Sequence, residues 1–105
     1  MDQSPRKTRP VLAPASRPSF PRHVRLRFDK TRERWVILAP ERVLVPDDIS
    51  VEVLQLCDGQ RSIQDVVAVL AEKFAADPDL IMTDCLALLQ GLADKGFLLD
   101  TSETK

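Results

Sequence analysis

Two prolines, Pro40 and Pro46, bracket the stretch Glu41–Val45, and no other feature of the chain limits its fold so tightly. Proline lacks a backbone N–H and cannot donate to a sheet ladder, so Arg42 to Val45 reads as a short strand at a sheet margin. Such a strand needs a partner on its inner side. Trp35 to Ala39, W-V-I-L-A, is β-branched, aromatic and apolar on both faces, which suits a central strand. Before it, Val24, Leu26 and Phe28 alternate with Arg25 and Arg27, the period of a half-buried strand, and the polar DKTRER stretch turns the chain between the two. The outer margin of Arg42–Val45 keeps unpaired N–H and C=O groups, guarded only by Glu41, Arg42 and Pro46. That margin is either a hazard to be blunted or a rail for an extended peptide.

Asp47 and Asp48 are good caps and favour the positive end of a helix dipole, which predicts a first helix from about Ile49 to Cys57, stopped by Asp58-Gly59. Ser62 with Asp65 three residues on resembles a capping box, and Val66, Val67, Leu70 and Phe74 form the inner stripe of a second helix to about Ala75. Asp77-Pro78 opens a third, with Ile81, Cys85, Leu88, Leu89 and Leu92 on one face, Lys95 in its last turn and Gly96 beyond. The expected fold is α+β and winged-helix-like, a three-stranded antiparallel sheet followed by a three-helix bundle. On the third helix Met82, Leu86, Gln90 and Ala93 form a second lane beside the first. An arc that wide is either sandwiched or open to a partner.

The chain's 105 residues, 44% apolar and 30% charged, allow one core, and a domain of that size houses binding surfaces more easily than deep catalytic cavities. Its net charge of −1 is unevenly spread: five basic residues against one acid give residues 1–23 a charge of +4, which leaves −5 on the rest. Residues 1–23 also hold five of the eight prolines and show no helical or strand period, so they read as a flexible, solvated arm. The expected organisation is this basic tail at 1–23, a folded domain at 24–100 and a disordered end at 101–105. The opening MDQSPRKTRP has no hydrophobic stretch behind its charges and no run is long enough to span a membrane, so the expectation is a cytoplasmic chain with reduced thiols.

Cys57 and Cys85 lie on apolar stripes without basic neighbours, which favours a core role over redox or metal chemistry. A single histidine, His23, and three scattered glycines supply neither a catalytic set nor a phosphate loop. No enzyme, cofactor or metal site is expected. A winged-helix shape raises DNA binding as the alternative function, but the third helix carries Asp77, Asp79, Asp84 and Asp94 against Lys95 alone, the wrong sign for phosphate contact.

Three segments carry a resemblance to a known family: R-W-V-x-L-x-P-E-R at Arg34–Arg42, L-C-D-G at Leu56–Gly59, and L-L-Q-x-L-A-D-K-G at Leu88–Gly96. Their ordered spacing resembles the PqqD family of pyrroloquinoline quinone (PQQ) biosynthesis, over roughly residues 11–99. The proline before Asp47-Asp48 departs from the family's pattern and predicts a third strand one residue shorter. The resemblance implies a peptide chaperone, a recognition element for ribosomal precursor peptides, that binds the precursor PqqA and presents it to the radical-SAM enzyme PqqE. It also implies where the peptide lies: added as a strand to the third strand and resting on the third helix. The peptide-binding residues expected on that basis are Arg42, Val43, Leu44 and Val45 on the strand, with Met82, Leu86, Leu89, Gln90 and Ala93 on the helix. Proline at Leu44 would test the rail if that residue's N–H faces the guest. A second copy of the chain, pairing through the same edge, is the competing occupant.

Overall fold

The structure is a computed structural model that describes residues 11–103. Its elements run β1 (Pro18–Ser19), β2 (Arg25–Asp29), β3 (Arg34–Ala39), β4 (Arg42–Leu44), α1 (Asp48–Leu54), α2 (Ile63–Phe74), α3 (Pro78–Asp94), β5 (Leu99–Asp100) and a 3-10 turn at Thr101–Glu103. The antiparallel sheet β2-β3-β4 and the three helices match the α+β architecture read from the sequence. Ile37, Leu54, Ile63, Val66, Leu89 and Leu98 are the largest fully buried side chains of the core between them.

Both hairpins follow from local chemistry. The Asp29 carboxylate accepts from the N–H groups of Thr31 and Arg32, and Glu33 takes a left-handed φ of 57°, which together reverse the chain between β2 and β3. Between β3 and β4 only Pro40 and Glu41 intervene, and Ala39 faces Arg42 across the turn. A two-residue connection makes that flanking pair exchange both hydrogen bonds, so the ladder alternates from there. Leu38 and Val43 form the non-hydrogen-bonded pair, while Ile37 and Leu44 bond to each other. The backbone N–H and C=O of Val43 therefore face away from the sheet, and those of Leu44 face β3. This corrects the expectation about Leu44, whose amide belongs to the ladder. The strand ends at Leu44, one residue short of Val45, because Pro46 follows.

The helices are capped much as the sequence predicts. The Asp47 side chain accepts from Ser50 N–H at 2.8 Å, Ser62 and Asp65 form a reciprocal capping box, and Asp77 accepts from Asp79 N–H with Pro78 in the first turn. The first helix is shorter than expected. After Leu54 the chain tightens to Leu56 N–H on Val53 O and Cys57 N–H on Leu54 O, the three-residue spacing of a helix running out. At the end of α3, Phe97 N–H reaches Leu92 O at 2.9 Å over Gly96, whose φ is 86°. The D-K-G segment is thus a left-handed helix stop that turns the chain toward β5.

The largest departure is at the amino terminus. The sequence reads residues 1–23 as a solvated arm, but residues 11–23 are built into the domain; residues 1–10 lie outside the described residues. Leu12 is buried in the core cluster, and Ser16, Pro18 and Pro21 are buried as well. Pro18–Ser19 pairs with Leu99–Asp100 to make a second, two-stranded sheet. Carbonyls of the same segment close the start of α2, accepting from Ile63 N–H (Ser16 O, 2.8 Å) and Gln64 N–H (Pro14 O, 2.9 Å). These are two of the four N–H groups that a helix start leaves without partners. The predicted boundary at 24–100 is too narrow at both ends, since Thr101 donates its hydroxyl to Gly59 O and its N–H to Arg17 O. Prolines and carbonyls, not a periodic apolar stripe, make these contacts, so no hydropathy pattern announces them.

Candidate functional site

The candidate site is the free margin of β4 together with the cleft beside it. Among the described residues, β4 has a ladder partner on one side only. Its outward chemistry is a donor and an acceptor at Val43, and its side chains are open: Val43 is 52% and Val45 51% exposed, with Ile49 at 67% just beyond. Isolated exposed apolar residues are ordinary, but a run of them along an unpaired strand is the signature of a rail.

β4 starts close to the chain just past α3. At its start the Arg42 guanidinium lies 5.4 Å over the Phe97 ring, immediately past the C-terminal end of α3. At its far end, Asp47 and Ile49 join Phe74, Ile81, Asp84 and Leu88 around an apolar groove of about 450 Å³ between α1, the end of α2 and the N-terminal half of α3. Strand and groove follow one another along the stretch Arg42–Ile49, joined through Pro46. Its polarity changes along its length, with the Arg42 cation at one end and carboxylates at the other. Ser50, donating first through its backbone N–H and then its side chain, holds the Asp47 carboxyl below the usual carboxylate range.

The helix residues expected to face a peptide are divided by this geometry. Leu89 and Ala93 are 0% and 1% exposed, so they belong to the core and offer no contact surface. Met82 lies beside Gln64, Val67 and Ala68 of α2. Gln90 Oε1 accepts from Leu12 N–H at 2.8 Å and its amide donates to Asp94, so this flank is met by the amino-terminal segment. Leu86, between them at helical spacing, is half-buried on the same flank. The lane 82, 86, 90, 93 is therefore turned toward α2 and residue 12, and the flank turned toward α1 is Ile81, Asp84 and Leu88. Ile81 and Leu88 read as core because they follow the core period. The signal that separates them is Asp84, a charge set between two apolar residues of one flank, which marks that flank as open at the surface. Of the strand residues, Arg42, Val43 and Val45 are exposed and Leu44 packs partly against the core.

Both cysteines are free and buried. Burial, with smaller contributions from Cys85 and Asp58, pushes the Cys57 thiol up to about 12, and its Sγ–H donates to Val53 O at 3.4 Å. Burial and the neighbouring Asp84 charge push Cys85 up as well. Such thiols pack as small apolar groups. Among the described residues no cluster of three or more His, Cys, Asp or Glu side chains could hold a metal ion, and no helix is long and apolar enough to cross a membrane.

Residues 34–98 match the family of coenzyme PQQ synthesis protein D, PqqD. A protein of Rhodopseudomonas palustris (strain BisB5) called PqqA binding protein is 61% identical over 94 residues, covering 90% of this chain and 92% of its own length. The solution NMR structure of the PqqD truncation of Methylobacterium extorquens PqqCD is 42% identical, with a TM-score of 0.73 over 84% of this chain and 94% of that one. That protein is described as a functional, stand-alone recognition element for ribosomally synthesised and post-translationally modified peptides. The crystal structure of PqqD from Xanthomonas campestris is 40% identical, with a TM-score of 0.52 over 81% of this chain and 94% of that one.

Proposed function

This chain belongs to the PqqD family of coenzyme PQQ synthesis, and from that premise we propose that it binds a PqqA-type precursor peptide on the β4 rail and presents it to the radical-SAM enzyme PqqE. The observation that carries the reading is the backbone of Val43, whose N–H and C=O point outward from a strand with no second partner among the described residues. An extended peptide laid there completes the ladder and recovers hydrogen bonds that water otherwise satisfies.

The affinity from backbone pairing is largely indifferent to the guest's side chains, so selectivity comes from the groove around Ile49, Ile81 and Leu88. A disordered guest loses chain entropy on docking, which keeps the complex moderate in strength and the peptide transferable. The chain's part is to hold and deliver; the bond chemistry belongs to the enzyme it serves.

Titration of isotope-labelled chain with a PqqA peptide tests this reading. Amide resonances of residues 42–45, 49, 81, 84 and 88 should move together and saturate. Movement confined to β2, or to the Met82–Gln90 flank, would place the guest elsewhere. Adding PqqE to the labelled complex should perturb a second set of amides while those of residues 42–45 stay in their bound positions; loss of the bound signals would show competition instead of presentation.

A further inference from the structure

The groove at the end of the rail is apolar inside and acidic at its mouth. Val53, Leu70 and Cys85 close it from the core side, and Asp47, Glu52 and Asp84 stand around it. Glu52 is already paired, its carboxylate 2.7 Å from Lys73 Nζ. Asp47 and Asp84 form no ion pair with the described residues, and Asp47 uses its side chain to cap α1. The wider field has the same sign: residues 45–100 contain eleven acidic residues and only Arg61, Lys73 and Lys95 as bases. A guest with a cation there gains from both the local carboxylates and the summed field, and one with an anion is repelled.

We propose that this groove fixes the register of the bound peptide by taking an apolar side chain whose close neighbour is Lys or Arg, with the cation set against Asp84 and Asp47. The inference rests on peptide binding at β4 and adds which peptide segment sits where. Arg42, at the other end, repels the same cation and gives the rail an electrical direction. Arg42 and Asp47 are five residues apart, at most about 17 Å of extended chain, so the segment read between them is four to six residues long. A guest shifted by two residues would keep its backbone bonds but lose the cation–carboxylate match.

Two labelled PqqA-like peptides test the proposal, one with an apolar–Lys pair and one with Glu in place of that Lys, each measured by fluorescence anisotropy against the full chain and its Asp84→Asn and Asp84→Lys variants. Asp84 is exposed, and circular dichroism with thermal melting confirms that the variants fold. The Lys peptide should weaken by about three- to fivefold with Asp84→Asn and further with Asp84→Lys, while the Glu peptide gains on Asp84→Lys. These differences should shrink as salt rises from 20 mM to 500 mM, since the groove mouth is open to solvent. If both peptides still shift the amides of residues 42–45 but neither responds to Asp84, the register proposal is wrong and the edge reading stands. If neither peptide moves residues 42–45, the edge reading itself has failed.

Discussion

At the scale of the residue, Gly59 shows how a short motif can be structural without being catalytic. Its φ of 81° is strained for any residue with a side chain, and a Cβ there would meet Ser19 Cβ and Oγ at 3.2 Å. Its N–H donates to Pro18 O at 3.0 Å. The L-C-D-G segment thus ends α1 and seats β1 against the loop. Gly59→Ala should destabilise the chain by about 1–2 kcal/mol in urea unfolding. Adding Ser19→Gly should return only the steric part, because the backbone strain remains; full recovery would contradict the conformational argument. The two cysteines give a second residue-level prediction. A thiol pushed up to about 12 stays protonated at pH 8, so Cys57, and Cys85 beside it, should resist a thiol-specific disulfide reagent in the native chain and both react in urea. Fast reaction of either in buffer would mean that the core opens there.

At the scale of the element, the two residues beside the β3–β4 turn separate binding from folding. Val43→Pro removes an outward N–H and leaves the ladder intact, so it should abolish peptide binding, by tenfold or more, with little change in melting temperature. Leu44→Pro removes a ladder bond, so it should lower stability by about 1–3 kcal/mol and confuse any binding readout. The sheet, its edge and the helix caps were legible in the sequence because proline, aspartate and alternating apolar residues act locally. Which flank of α3 faces α1 was not, since the 3.6-residue period fixes that a helix has an apolar face but not which neighbour covers each side of it. Met82 and Gln90, expected on the guest's side from the resemblance and the second lane, lie beside α2 and Leu12, whereas the exposed carboxylate of Asp84, which no core would accept unpaired, marks the flank that adjoins α1. Leu89 and Ala93, at the centre of the face, could only be core.

At the scale of the whole molecule, residues 11–23 are part of the fold. They supply Leu12 to the core, two caps to α2 and a strand partner to β5, and none of them pairs with β4. Deleting residues 1–20 should lower the unfolding free energy by about 3–5 kcal/mol, a large share of a small domain's stability, visible as an earlier urea midpoint. A midpoint unchanged by the deletion would return those residues to the role of a solvated arm. The same open edge admits a second copy of the chain, and that arrangement would hide Val43 before any peptide arrives. Amide hydrogen exchange at Val43 and Leu44, with and without a PqqA peptide, therefore decides whether the outer edge of β4 receives the guest. The Leu44 amide should be protected throughout, and the Val43 amide should exchange freely in the isolated chain and become protected when the peptide binds. Protection of Val43 before peptide is added, or free exchange at Val43 in the saturated complex, would contradict binding at that edge.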